Sequence, residues 1–322
     1  MTVFELFAGA GGAALGLHRA GLECVGLVEH DPDACATLRA AGLGPVLKGD
    51  AADESLWRPA DVLWASPPCQ PFSQAGKRAA SDDSRNGWPI VQAYIERMRP
   101  AWVIVENVPG LTMGSLWPYF SSQWVDWLEA RYQHVRWTIL DAADYGVPQH
   151  RRRVFVVAGP CAVRWPVATH CDPSREFLLG MEPWVTCGEA LGLSGRIIGA
   201  GTNPHSQGAG HERTFRDITG EPAPTVAASL AGNRGPWVDW SRRESPEDEP
   251  PRTIGTKGNA KIGVGPTSRT LTVEECGILQ GFPPDYPWQG RSKKSRYRQV
   301  GNAVPPIMAE LIGRQVAREV AR

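Results

Sequence analysis

The chain has 322 residues, with 34 Lys and Arg against 34 Asp and Glu, and 42% of it is hydrophobic. That length allows a main core plus one smaller domain, and the composition excludes a disordered or uniformly basic protein. No apolar run reaches membrane-spanning length, and Met1–Phe7 has no basic segment leading into an apolar stretch, so a cytoplasmic protein without a secretory signal is expected.

The first 160 residues alternate strand-like apolar runs with helical patterns, which predicts a parallel sheet covered by helices. The expected strands are 2–7, 24–28, 61–65, 102–106, 138–141 and 154–158, with helices over 13–20, 32–41, 88–99 and about 116–131. From 161 to 266 the chain is rich in Gly, Pro, Thr and Ser, which predicts a separate loop-rich domain with short strands. Within it, Glu221-Pro222-Ala223-Pro224-Thr225-Val226 is faintly echoed by Glu249-Pro250-Pro251-Arg252-Thr253-Ile254, either as two related hairpins or by chance. Residues 267–322 regain periodicity. They should return to the first domain, where a closing helix can bury Ile307, Leu311, Ile312 and Val316.

Charge is unevenly placed. Residues 1–66 carry nine acids and four bases, and residues 267–322 carry nine bases and five acids. The run Arg291–Arg298 is either a solvated face or a phosphate contact, and Arg151-Arg152-Arg153 is a second basic cluster. The seven cysteines are scattered with no Cys-x-x-Cys pair, which fits reduced thiols. Cys161, Cys171, Cys187 and His170 match no common zinc spacing, so no metal is expected.

Candidate site residues cluster at strand ends. Phe7-Ala8-Gly9-Ala10-Gly11-Gly12 leaves the first strand and opens the first helix, where glycines let a ligand approach backbone N–H groups. Glu29 ends the second strand about 20 residues on, where nucleotide-binding folds hold ribose hydroxyls, and Asp50 follows a third. Together they suggest an adenosine-containing cofactor without telling a nicotinamide from S-adenosylmethionine. Asp31 before Pro32 reads as a helix cap. Ser66-Pro67-Pro68-Cys69-Gln70-Pro71-Phe72-Ser73 presents a thiol on a proline-stiffened loop, so Cys69 is either an aimed nucleophile or a small buried hydrophobe. Glu106 ends the strand before Asn107-Val108-Pro109. Period-two alternation over Gln149-His150-Arg151-Arg152-Arg153 puts Gln149, Arg151 and Arg153 on one face.

Six motifs in order make the chain resemble the DNA cytosine-5 methyltransferases. They are Phe-Ala-Gly-Ala-Gly-Gly, Pro-Pro-Cys-Gln-Pro-Phe-Ser, Glu-Asn-Val, Gln-x-Arg-x-Arg, Arg269-Thr-Leu-Thr with Leu279-Gln-Gly-Phe-Pro283, and Gly301-Asn-Ala-Val-Pro305. The resemblance implies an α/β fold with a doubly wound, mostly parallel, Rossmann-like sheet, and residues 161–266 as a smaller target-recognition domain. It implies S-adenosylmethionine as cofactor and double-stranded DNA as partner. Catalysis would use Cys69, Glu106, Arg151 and Arg153, with Cys69 adding to carbon 6 of a flipped-out cytosine and Glu106 serving ring nitrogen 3. Pro67, Gln70, Ser73 and Gln149 would lie against the substrate. Phe7, Gly9, Gly11, Glu29, Asp50 and Asn302 would hold the cofactor.

The segment Gln74–Gly87 corresponds to the family's mobile loop. His30 stands where an aromatic residue is often found, and Ser66 departs from the glycine common before Pro-Pro. In the recognition domain Arg234, Trp237, Trp240, Arg242 and Arg243 either face DNA or serve core and phosphate. A monomer is expected, with a cognate restriction endonuclease as a possible companion. The rival readings are the family's tRNA-methylating branch, an inactive DNA-binding protein, and a nicotinamide-dependent dehydrogenase resting on the Gly-rich turn alone.

Overall fold

Apolar β-branched and aromatic runs form the strands, as their alternation dictates. The computed structural model describes residues 1–68, 86–173, 180–192, 196–201, 214–217, 219–223, 237–239 and 269–320, with backbone alone for 196–201, 214–217, 237–239 and 269–270. The main strands are β1 (Thr2–Leu6), β2 (Glu23–Glu29), β3 (Val46–Lys48), β4 (Val62–Ala65), β5 (Trp102–Asn107), β6 (His134–Asp141) and β7 (Arg152–Gly159). They form one sheet in the order β3-β2-β1-β4-β5-β7-β6. All pairs are parallel except β5–β7 and β7–β6.

Alternation along β4 shows how the two faces are built. Leu63 and Ala65 join one apolar cluster with Trp88, Tyr94, Val103 and Val105. Val62 and Trp64 join the other with Ile104, Phe155, Met308 and Ile312. Helices α1 (Gly12–Arg19), α2 (Pro32–Ala41) and α3 (Trp88–Met98) fall close to their expected positions. For α2 the signals are local. The Asp31 side chain accepts from the Asp33 and Ala34 N–H groups, Pro32 opens the first turn, and Gly42 ends the helix in the left-handed region.

The closing helix Pro306–Val320 packs on α1. Glycine makes this close approach possible: a Cβ on Gly16 would lie 2.1 Å from the Pro306 carbonyl oxygen, and one on Gly12 2.0 Å from that of Val304. The buried stripe is Met308, Ala309, Ile312 and Val316, while Ile307 and Leu311 are only partly covered. The expected face is therefore rotated toward the small residues that allow the contact.

Two other elements differ from expectation. Strand β6 begins at His134 rather than Thr138, because its first half lies on the sheet edge where polar and apolar residues both pair. The single helix expected over 116–131 is three pieces, Trp117–Tyr119, a wide-turned π stretch Phe120–Asp126, and Trp127–Glu129. Phe120, Trp124 and Leu128 recur every four residues and are all fully buried, so wider turns keep them on one side.

A four-stranded antiparallel sheet is formed by Thr214–Asp217, Arg196–Gly201, Trp237–Asp239 and Arg269–Thr270. Residues 269–270 thus pair with strand 237–239, so this small sheet extends past residue 266. Helix Cys187–Leu191 packs against helix Val273–Leu279 through Cys187, Leu271, Val273 and Cys276. No described helix is long and apolar enough to cross a membrane.

Candidate functional site

The carboxyl ends of the parallel strands carry, across the sheet from β3 to β5, Asp50, Glu29, Phe7, Ser66-Pro67 and Glu106. Strand β7 runs the other way, so its first residues, Arg152 and Arg153, reach the same edge. The chain order reverses between β1 and β4, the crevice where open α/β sheets bind ligands.

Glu29 organises the half nearer β3. Its carboxylate accepts from the Gly9 N–H at 2.8 Å and from the Asp31 N–H at 2.8 Å, and it pairs with the exposed His30 ring at 3.2 Å. It therefore braces the glycine turn as well as facing the crevice. Gly9 takes a positive φ of 56°, and among the described residues no atom lies near its missing Cβ, which leaves space beside the turn. Gly11 is hemmed in by Leu38 and the Tyr286 hydroxyl, so its lack of a side chain serves packing. Phe7 holds a φ of 62°, a strained conformation for a non-glycine residue, and its ring is half-buried beside Gly87. Asp50 is exposed and caps the Ala52 N–H. Asn302 is exposed at the end of helix Lys293–Asn302. Open space at Gly9, a half-buried aromatic ring and exposed Asp50 and Asn302 side chains suit an adenosine group with a polar tail.

The other half centres on Glu106. Ala65 pairs with Val105 in the β4–β5 register, so the next step lays Ser66 beside Glu106 and Pro67 beside Asn107. The Asn107 amide donates to the Pro67 carbonyl oxygen at 3.1 Å. On the far side Glu106 pairs with Phe155, which puts Arg153 on its diagonal, and the guanidinium meets the carboxylate at 2.9 Å. Burial pushes the Glu106 carboxyl above its ordinary range, opposed by Arg153, Arg151 and the Ser66 hydroxyl. The net upward direction suits a carboxyl that must hold and release a proton.

The Gln149–Arg153 segment departs from a simple strand. Strand β7 begins at Arg152, and Gln149 makes an isolated bridge with Ala223 instead. Gln149, Arg151 and Arg153 do turn inward, but each meets different groups. The fully buried Gln149 amide donates to the Leu279 carbonyl oxygen at 3.4 Å. Arg151 donates to the Gly301 carbonyl oxygen at 2.9 Å, tying the strand to the Gly301–Pro305 segment. Arg153 reaches Glu106 directly.

Asp141, which sequence reading did not single out, holds this segment in place. It accepts from the Arg151 N–H at 2.9 Å and pairs with His150 at 3.1 Å. The signal was an acid ending one strand of an antiparallel pair beside a histidine on the other. In the basic run 291–298, Arg291 and Arg298 pair with Asp33 and Asp31, so these two are tied to the start of α2 rather than presented as free phosphate contacts.

Cys69, Gln70 and Ser73 lie outside the described residues, as do Gln74–Arg85, Arg234, Trp240, Arg242, Arg243 and the second copy of the 221–226 echo; Trp237 is described by backbone alone. Gly87 closes the described chain back on the start of this gap, since a Cβ there would lie 2.9 Å from Phe7 and Pro67 and 3.0 Å from Pro68. Among the described residues no three His, Cys, Asp or Glu side chains gather as a metal site.

Comparison with known proteins supplies the family. The family described as C-5 cytosine-specific DNA methylase matches residues 1–163 and 210–318. The chain is 34% identical to the Type II methyltransferase M.NaeI of Lentzea aerocolonigenes, over 98% of this chain and 74% of that protein. It is 32% identical to the Type II methyltransferase M.NgoMIV of Neisseria gonorrhoeae, over 100% of this chain and 98% of that one. Among solved structures, the S. pombe Dnmt2 methyltransferase superposes with a TM-score of 0.68 at 16% identity, covering 99% of both chains, which supports the fold.

Proposed function

Because this chain belongs to the C-5 cytosine-specific DNA methylase family and so methylates carbon 5 of cytosine in DNA, we propose that it does so through Cys69, Glu106 and Arg153 on a base flipped out of a specific short duplex sequence. The observation that carries this reading is the Arg153–Glu106 pair, set beside the Pro67 carbonyl at the strand-end crevice.

Carbon 5 of cytosine is too weak a nucleophile to be methylated unaided. The Cys69 thiolate adds to carbon 6, forming a carbon–sulfur bond. The ring electrons move toward nitrogen 3, where the Glu106 carboxyl delivers a proton. Carbon 5 then carries enamine density. Arg153 keeps the carboxyl in place and neutralises it whenever it is ionised, and it would hold the cytosine carbonyl oxygen. The Pro67 carbonyl has a second lone pair beyond the one Asn107 uses, free to accept from the exocyclic amine. S-adenosylmethionine, the cofactor general to this family, supplies when bound the electrophilic methyl group that carbon 5 takes. Loss of the carbon 5 proton to a base, expulsion of the thiolate and return of the nitrogen 3 proton to the Glu106 carboxylate restore the aromatic ring and the enzyme.

Phe7, Gly9, Glu29, Asp50 and Asn302 would hold the cofactor, Glu29 at the ribose and Phe7 against the adenine. Gly11 contributes by letting α1 start where it does. Inside a duplex, carbons 5 and 6 are stacked, so the base must leave the helix to reach this edge. Residues 161–266, with the small antiparallel sheet, would read the target. One copy of the chain suffices for one flipped base, and the Type II names of the relatives support a companion endonuclease cutting the same site. Bisulfite sequencing of DNA from cells expressing the chain tests this reading. It should reveal one short motif with a protected cytosine, and scattered or absent protection would count against it.

A further inference from the structure

Resting on the reading of Glu106 as proton donor, we infer that Ser66 is a positioning residue whose hydroxyl, itself anchored by the Trp64 indole, fixes the Glu106 carboxyl for its work on the base. Three observations converge on it. The Trp64 Nε1–H donates to the Ser66 hydroxyl oxygen at 3.0 Å. The parallel register Trp64–Ile104 and Ala65–Val105 carries Ser66 alongside Glu106 at the next step. Ser66 is also among the groups that hold the Glu106 carboxyl down against the upward push of burial.

A hydroxyl has one proton and two lone pairs. With the indole occupying one lone pair, the proton is turned away from Trp64 and toward the carboxyl. Trp64 is fully buried in the sheet, so the anchor does not move. Glu106 is then gripped from both neighbouring strands, by Ser66 on the β4 side and by Arg153 at 2.9 Å on the β7 side. Two grips fix the carboxyl plane, which leaves its free edge aimed at whatever enters the crevice. The charged groups facing Glu106 are Arg153 and Arg151. Ser66 adds a neutral donor to this pair, and a donor to the ionised form delays protonation.

The test uses the full chain, unmethylated phage genomic DNA and labelled S-adenosylmethionine, with kcat and KM measured across pH. Ser66→Ala should lower kcat by on the order of tenfold while the KM for DNA stays put. The alkaline limb of its kcat profile should also move to higher pH, because losing the donor lets Glu106 keep its proton longer. In the E106Q background, S66A should shift no limb. An S66A enzyme with the wild-type rate and profile would overturn the inference, as would an equal loss at every pH accompanied by a raised KM. Wild-type protein that transfers no methyl group would instead overturn the proposed function itself.

Discussion

The side-chain amide of Asn107 donates to the carbonyl oxygen of Pro67 at 3.1 Å, joining the ends of β5 and β4 just where the chain enters the Pro-Pro-Cys segment. The bond is buried, and it fixes the residue two positions before Cys69. Nucleophilic attack demands a set distance and direction, so an anchor here acts on rate more than on binding. Asn107→Ala should lower kcat by about tenfold to a hundredfold, the range set by one lost buried hydrogen bond. Cofactor affinity, followed by calorimetry, should be unchanged.

Glu106→Gln keeps shape and removes the transferable proton. Methyl transfer should fall by roughly a hundredfold to ten-thousandfold, with the thermal midpoint no lower than wild type, since the buried carboxyl is itself costly to ionise. Labelled methyl transfer and a thermal melt report the two halves.

The cofactor half separates two kinds of acid. The Asp50 side chain is exposed and accepts from the nearby Ala52 N–H, while Glu29 braces both Gly9 and Asp31. Asp50→Ala should weaken S-adenosylmethionine by about 1 kcal/mol with little change in the melt. Glu29→Ala should both weaken binding and lower the melting temperature, because two backbone N–H groups lose their acceptor.

The His150–Asp141 pair links the β6–β7 turn to Ala223, whose carbonyl oxygen takes the His150 N–H at 2.8 Å. The bond to Asp141 raises His150 above its ordinary 6.5, and the bonds from His150, Ala143 and Arg151 hold Asp141 below its ordinary 3.8 despite burial. A raised histidine contributes stability that is full below its unfolded value and lost as pH rises through its folded one. A lowered carboxylate contributes above its unfolded value and loses that as pH falls. The pair is therefore firmest between 3.8 and 6.5. His150→Gln should destabilise the protein at about pH 6 and progressively less toward about pH 9, read by melting wild type and variant side by side.

Much of this architecture is written locally. The α2 helix follows from Asp31, Pro32 and Gly42, and β4 and β5 from uninterrupted apolar runs. The strand-end acids Glu29, Asp50 and Glu106 were legible for the same reason: a polar residue closing an apolar strand must lie at a sheet edge. Long-range partners were not. Nothing near Arg151 announces Gly301, and nothing near Arg298 announces Asp31. Those contacts arise because the last segment folds back on the first. The Asn107–Pro67 contact and the placing of Ser66 beside Glu106 needed the β4–β5 register, which one strand's sequence does not specify. Period two over Gln149–Arg153 did predict which side chains turn inward, but not the bridge of Gln149 to Ala223 that precedes β7.

Covalent trapping reaches the central chemistry most directly. A duplex carrying 5-fluorocytosine in the target sequence cannot lose its carbon 5 substituent, so attack should stall as a protein–DNA adduct. With S-adenosylmethionine present, intact-mass measurement should show one stable adduct on wild type, mapped to Cys69, and none on C69S. A protein that methylates ordinary DNA yet forms no adduct, or forms one on another residue, contradicts the account.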